Sequence, residues 1–287
     1  MTSSRFRAYA ALAVAIGGIT WSAILVRWAG IPGTSSAFYR VLIAGAVLIP
    51  CALARGPRRP VSSRAMWLAI GGGVFFALDI GLWNTSVMMT QAAVASILGN
   101  NTPFFVGMIS WLIFHKRPRA SFWIGLTLAL AGCLAIISAS FGAGAARGSL
   151  FGNMLALAGS FFFAAYLATT ERIRASMDTL TFSALAIAGS IVTLLVLCLV
   201  LGLPLAGFST RTWLALAGLG LVSQLLAYFA LVYALGHLPA TVTSVGLLAQ
   251  VPGTIVLAWL LLGEPLSMVQ IAGGAIVLVG IFVVNRG

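Results

Sequence analysis

Residues 92–114 read AAVASILGNNTPFFVGMISWLIF, twenty-three positions with no charged side chain and with Asn100-Asn101-Thr102-Pro103 at the centre. A helix of that length, rising about 1.5 Å per residue, covers the roughly 30 Å hydrocarbon core of a bilayer. Pro103 has no amide proton and strands the carbonyl four residues earlier, that of Gly99. Hydrocarbon offers that carbonyl no partner, so such a break is tolerated only where the helix lines a cavity or is covered by protein. Residues 240–262, ATVTSVGLLAQVPGTIVLAWLLL, repeat the design with Gln250-Val-Pro252, which strands Leu248. Pro103 and Pro252 are therefore expected as mid-membrane hinges, with Asn100, Asn101 and Gln250 beside them.

The rest of the chain has the same character. Of 287 residues 61% are apolar and 7% charged, and the mean hydropathy is +1.10. A soluble domain exposes far more charge. At roughly 28 residues per crossing and connection, the chain holds about ten spans. They are expected near 8–27, 34–54, 65–88, 92–114, 120–140, 149–172, 179–201, 211–235, 240–262 and 267–285. The fold class is thus an all-α polytopic membrane protein with no room for a soluble catalytic or nucleic-acid-binding module. The first apolar run continues to about Val26, too long for a signal-peptide core, and is kept as a span. Cys51, Cys133 and Cys198 are scattered through apolar runs and read as core thiols. No metal site and no cofactor is expected.

The formal charge of +12 has a topological explanation. With a cytoplasmic N-terminus, one side receives Arg5, Arg7, Arg55, Arg58, Arg59, Arg64, Lys116, Arg117, Arg119, Arg172, Arg174 and Arg286, and the other only Arg27, Arg147 and Arg211. The positive-inside rule then puts both termini in the cytoplasm. Trp67, Trp111 and Trp123 fall near the inner surface, and Trp28, Trp83, Trp213 and Trp259 near the outer one, as indoles prefer. Trp21 alone falls near the midplane.

The two halves resemble each other. Trp67-Leu-Ala-Ile corresponds to Trp213-Leu-Ala-Leu, Asn101-Thr-Pro103 to Gln250-Val-Pro252, and Gly125 and Gly132 to Gly273 and Gly280 with the same spacing of seven. Residues 1–145 and 146–287 are thus expected as two five-helix repeats. An odd number of crossings per half makes the second enter from the opposite side, an inverted-topology repeat around a central cavity.

On the ten spans, Arg40 in the second, the two Pro-broken helices and Gly263-Glu264-Pro265 before the last, the chain resembles the EamA-type branch of the drug/metabolite transporter superfamily. Within the branch it looks most like the YddG-type exporters of aromatic amino acids. The resemblance implies a basket of helices whose first, third, fourth, sixth, eighth and ninth spans line the cavity, and it implies export. His115-Lys116-Arg117-Pro118 stands where the second half has Gly-Glu-Pro, so that hinge is not symmetric in charge.

Polar residues inside spans are the candidates for function. Asp79 is the one carboxylate far from a span end, fifteen residues into the third span, and buried acids cost several kcal/mol unless paired or wet. Arg40 lies at similar depth. Either the two form a structural ion pair, or Asp79 meets cavity water and carries a proton or binds a cation. Glu171 and Asp178, near Arg172 and Arg174, read as solvated, and Glu264 as part of an outer loop. Phe76 and Trp83 flank Asp79 on one face, Tyr228 follows Gln224 by four, and Phe163 and Tyr166 follow Ser160. With Trp21 these could form a wall that stacks an aromatic ring; the simpler reading is packing against lipid or neighbouring helices. The amides of Asn100, Asn101 and Gln250 suit the ammonium and carboxylate of an amino acid, or else only tie helices together.

An enzyme is not expected, because both histidines, His115 and His237, sit at loop ends and Asp79 has no deep carboxylate partner. Phosphorylated substrates would need more cavity cations than Arg40. A channel would not need paired broken helices. The expectation is a monomeric carrier in the inner membrane, working by alternating access on aromatic or zwitterionic metabolites such as aromatic amino acids. The alternative is a proton-coupled exporter of organic cations that uses Asp79.

Overall fold

A computed structural model describes residues 3–57, 60–89, 98–138, 150–262 and 267–286. The Gly263-Glu264-Pro265 motif and Arg58, Arg59 and Arg147 lie outside them. Every regular element among the described residues is helical. In chain order they are α1 (Ser3–Thr20), α2 (Ser22–Ala29), α3 (Gly33–Arg55), α4 (Ser63–Met89), α5 (Thr102–Leu112), α6 (Ala120–Ser138), α7 (Leu150–Arg174), α8 (Thr179–Val200) and α9 (Thr210–Gly218). A π-helical segment, Leu219–Leu226, runs into α10 (Ala227–Leu235). Then α11 (Ala240–Gly246), a 3-10 turn (Leu247–Ala249) and α12 (Gln250–Leu262) precede α13 (Met268–Arg286).

Seven described segments are long and apolar enough to cross a membrane: Arg5–Val26, Gly33–Arg55, Ser63–Ser86, Leu150–Arg174, Thr179–Val200, Thr210–Leu235 and Met268–Arg286. Each coincides with an expected span. The other three expected spans correspond to shorter helices. Those near 92–114 and 240–262 are interrupted at their polar centres, and Ala120–Ile136 falls just short of a full crossing. Large apolar side chains such as Leu53, Trp67, Leu150, Leu214 and Met268 face outward at 71–82% exposure. No water-facing surface carries that much contiguous apolar area, whereas lipid accepts it.

Helix ends follow local chemistry. Gly30 takes a left-handed conformation (φ 62°, ψ 25°) that ends α2, and Pro32 leads into α3. Asp178, expected to be solvated, instead caps α8 by accepting from the amides of Leu180 and Thr181.

Packing joins early helices to late ones. α6 lies against α13, with Gly125 facing Gly280 and Gly132 facing Gly273, so the pair is antiparallel. α4 packs on α7 and α8, α1 on the π segment and α10, and α3 on α8 and the π segment. The main core combines α1, α3, α4, α7, α8 and α10 side chains, Phe182, Leu167, Leu194 and Leu231 among them. Cys133 and Cys198 are buried as expected, but Cys51 is exposed on the outer face of α3. A thiol can be presented to lipid at little cost.

Candidate functional site

Arg40 stands in the second turn of α3 and is only 4% exposed. Its Nε donates to Gln224 Oε1 at 2.8 Å, one terminal nitrogen to Ser22 Oγ at 2.9 Å, and the other to the Ser223 carbonyl at 3.4 Å. The guanidinium also sits 5.1 Å from the centre of the Tyr228 ring. These partners come from two interruptions in otherwise continuous helices. Ser22 begins α2 immediately after the break at Trp21, while Ser223 and Gln224 belong to the π-helical segment. Such wide turns recur at functional sites because they shift side chains out of the regular register. A bond from Ser223 Oγ to the Gly18 carbonyl, 2.9 Å, ties the segment to α1.

The structural ion pair between Arg40 and Asp79 is not formed. Arg40 is turned toward α2 and the π segment, where three neutral acceptors hold it. Asp79 remains within electrostatic reach of it. Asp79 is half-buried, and its Oδ1 would lie 3.6 Å from a Cβ built on Gly159.

Four of the aromatics singled out in the sequence meet, from three helices. The Phe76 ring lies 4.7 Å from Tyr228 and 5.1 Å from Tyr166, and Phe163 lies 6.1 Å from Tyr166 and 6.3 Å from Tyr228. Phe76, Tyr166 and Tyr228 are 2%, 3% and 8% exposed, so here they pack on one another; only Phe163 keeps an open face. Trp21 does not join them. It sits half-buried beside Leu25, Leu216 and Leu219. Trp83 leans the other way, its indole 3.0 Å from where a Cβ on Gly99 would be.

The two polar breaks meet. Gln250 Nε2 approaches Asn100 Oδ1 at 3.5 Å, a long contact between residues 150 positions apart. Pro103 and Pro252, expected as hinges, both stand near the start of a helix. Pro103 occupies the first turn of α5, after a turn at Asn100 and Asn101, and Pro252 is the third residue of α12, after the 3-10 turn. A missing amide is harmless in a first turn. The carbonyl of Gly99 is satisfied by Thr102 Oγ1 at 3.2 Å, and that of Leu98 accepts from the backbone and side-chain amides of Asn101, both 3.3 Å. Asn101 and Gln250 are half-buried and Asn100 is 9% exposed.

Sequence reasoning passed over Ser22, Ser223, Thr102 and Asn84. Asn84 is buried and donates to the Gly33 carbonyl at 2.8 Å. A small hydroxyl in an apolar run carries no signal of its own, though Gly18, Gly218 and Gly220 mark where helices approach closely.

Comparison with known proteins agrees with this architecture. The sequence pattern of the EamA-like transporter family matches residues 7–138 and again residues 150–286. The chain is 27% identical to the uncharacterized transporter YdfC of Bacillus subtilis over 85% of its own length and 79% of that protein's. It is also 27% identical to the pseudopaline exporter CntI of Pseudomonas aeruginosa, covering 90% of this chain and 88% of that one. A solved crystal structure superposes over 99% of this chain and 98% of its own with a TM-score of 0.79 at 19% identity, a likeness of fold. With its pattern matched twice across nearly the whole of a membrane-spanning helical chain, this protein belongs to the EamA-like transporter family of the drug/metabolite transporter superfamily.

Proposed function

We propose that this transporter exports small zwitterionic metabolites carrying an aromatic ring, aromatic amino acids among them, by alternating access. The observation that carries the reading is the meeting of Asn100 and Gln250 at two helix breaks, one from each half of the chain. Amides that both donate and accept can serve an ammonium and a carboxylate in turn, and broken helices free backbone groups for the same use. In this reading residues 1–145 and 146–287 are inverted repeats that make ten spans around a central cavity. Support comes from the twofold match of the family pattern and from the reciprocal packing of α4 on α7 and α1 on α10. The protein works as a monomer in the inner membrane. Both termini face the cytoplasm, which agrees with the bond from Tyr9 near one end to Asn285 near the other.

Substrate-binding contacts are assigned to Trp21, Trp83, Asn101, Gln250, Asp79 and Phe163, which keep accessible surface, with Phe76, Asn100, Tyr166, Gln224 and Tyr228 behind them. The second reading, a proton-coupled exporter of organic cations, is favoured by one observation: Asp79 is half-buried and not engaged by Arg40. Purified protein in vesicles separates the two. Saturable tryptophan and phenylalanine flux with counterflow, indifferent to a pH gradient, is expected for the first. Gradient-driven efflux of a cationic dye that Asp79→Asn abolishes would replace it with the second.

A further inference from the structure

A buried guanidinium held only by neutral acceptors is an unbalanced charge in a low-dielectric interior, where ionised side chains are ordinarily paired. Arg40 is in that condition, with Gln224, Ser22 and the Ser223 carbonyl as its partners. Asp79 interacts with it electrostatically but is not among these hydrogen-bond partners. Between the two charges runs a chain of rings. Tyr228 lies under Arg40, Phe76 touches Tyr228, and Phe76 is one helical turn before Asp79 on α4.

We infer that Arg40 and Asp79 are the two poles of the substrate site, Arg40 receiving a carboxylate and Asp79 an ammonium, so that zwitterions are selected over simple amines and simple acids. This deepens the substrate class proposed above and rests on that reading for the aromatic preference alone. An incoming carboxylate would replace neutral acceptors at the guanidinium, a charge-assisted and geometrically matched exchange. The displaced groups, an amide oxygen, a hydroxyl and a carbonyl, leave no charge stranded. The Tyr228 ring, 5.1 Å from the guanidinium, packs beside the Asp79 pole's neighbour Phe76 and so borders both ends of the site. The π-helical segment supplies two of the acceptors and is the element whose register would change on loading.

The test is ligand competition and thermal stabilisation on the full-length protein. The ligands are phenylalanine, leucine, phenethylamine and 3-phenylpropionate. The proteins are the wild type, Arg40→Gln, Arg40→Lys and Asp79→Asn. Wild type is expected to bind phenylalanine at least tenfold more tightly than either single-charge analogue. Arg40→Gln should lose at least tenfold for phenylalanine and 3-phenylpropionate and leave phenethylamine unchanged, and Asp79→Asn should do the reverse. Arg40→Lys, which keeps the charge and is the safer variant for folding, should show a smaller loss of the same pattern. Equal weakening of all ligands in both Arg40 variants, or none, would make Arg40 a structural tie and overturn the inference. Absence of any zwitterion binding to wild type would overturn it too. Leucine binding as tightly as phenylalanine, with the Arg40 pattern intact, would remove the aromatic preference and leave the two poles standing.

Discussion

A Cβ built on Gly125 would lie 2.5 Å from the Gly280 carbonyl oxygen, and one on Gly280 would lie 2.5 Å from the Gly125 carbonyl oxygen. Seven residues along, Gly132 and Gly273 repeat the relationship at 2.6 and 2.8 Å. α6 and α13 thus touch backbone to backbone along two turns. In a bilayer such contact replaces the hydrophobic drive that lipid removes. Gly125→Ala or Gly280→Ala should each cost about 1–3 kcal/mol by forcing the helices apart, seen as a lowered Tm in detergent. The double variant should cost less than the sum, because both alanines intrude on one contact. Gly17→Ala, with nothing within 4 Å of its Cβ position, is the matched control and should leave Tm unchanged. Equal shifts in all three would remove close packing as the explanation.

Thr102 is 5% exposed and its hydroxyl donates to the Gly99 carbonyl at the break before α5. Thr102→Val keeps the shape and removes the donor. Leaving that buried carbonyl unpaired should cost about 1–3 kcal/mol, read from thermal unfolding. Thr102→Ser should recover most of the loss. A valine variant as stable as wild type would mean that another donor already serves Gly99.

Much of the fold was legible because lipid enforces it. Seven expected spans coincide with long apolar helices, and the glycine pairs whose shared spacing of seven was read as a mark of the repeat prove to meet each other. The polar centres were legible too, since Pro103 and Pro252 each remove an amide donor from the helical ladder. The sense of the break was not. A stranded carbonyl implies a kink only if the helix continues, and here turns at Asn100-Asn101 and Leu247–Ala249 let each helix restart with its proline in place. The π-helical segment left no mark, because Leu219–Leu226 contains no proline and its wide turn depends on Arg40, Gly18 and Ile43 from other helices. For the same reason the neutral partners of Arg40 were not legible. Charge and depth matched Asp79 to it, but orientation, set by where Ser22 and Gln224 stand, decided the contact.

If Asn100 and Gln250 mark where the halves meet, fastening them should arrest any cycle that parts them. Asn100→Cys with Gln250→Cys should be joined by a short bis-methanethiosulfonate linker that spans the side-chain contact, detectable as a mobility shift after cleavage between the halves. Substrate flux should then fall at least tenfold and return on reduction. Each single cysteine should retain flux when treated with the linker. The background thiols Cys133 and Cys198 are buried, and the exposed Cys51 is replaced by serine in every variant compared. Full flux in the cross-linked protein would show that the two breaks stay together through the cycle.

Glu171 supplies the last prediction, because its setting contradicts its sequence context. Beside Arg172 and Arg174 it reads as a solvated acid at a span end, yet its Oε2 accepts from the Ala240 amide at 3.0 Å, across 69 positions. α11 begins there after Pro239 and has no side-chain cap of its own. A carboxylate from α7 therefore caps α11, answering both its free amide and the positive end of its dipole. Arg174, one turn on, donates to the Val232 carbonyl at 3.2 Å and to Thr179 Oγ1 at 2.8 Å, so the same stretch of α7 also holds the end of α10. Glu171→Ala should destabilise by about 1 kcal/mol, the usual loss of a cap. Glu171→Gln, which can still accept through its amide oxygen, should lose less. If this tie also restrains movement of α11 against α7, Glu171→Ala should change the maximal flux more than the apparent affinity. A selective change in affinity would instead place Glu171 among the groups that meet substrate.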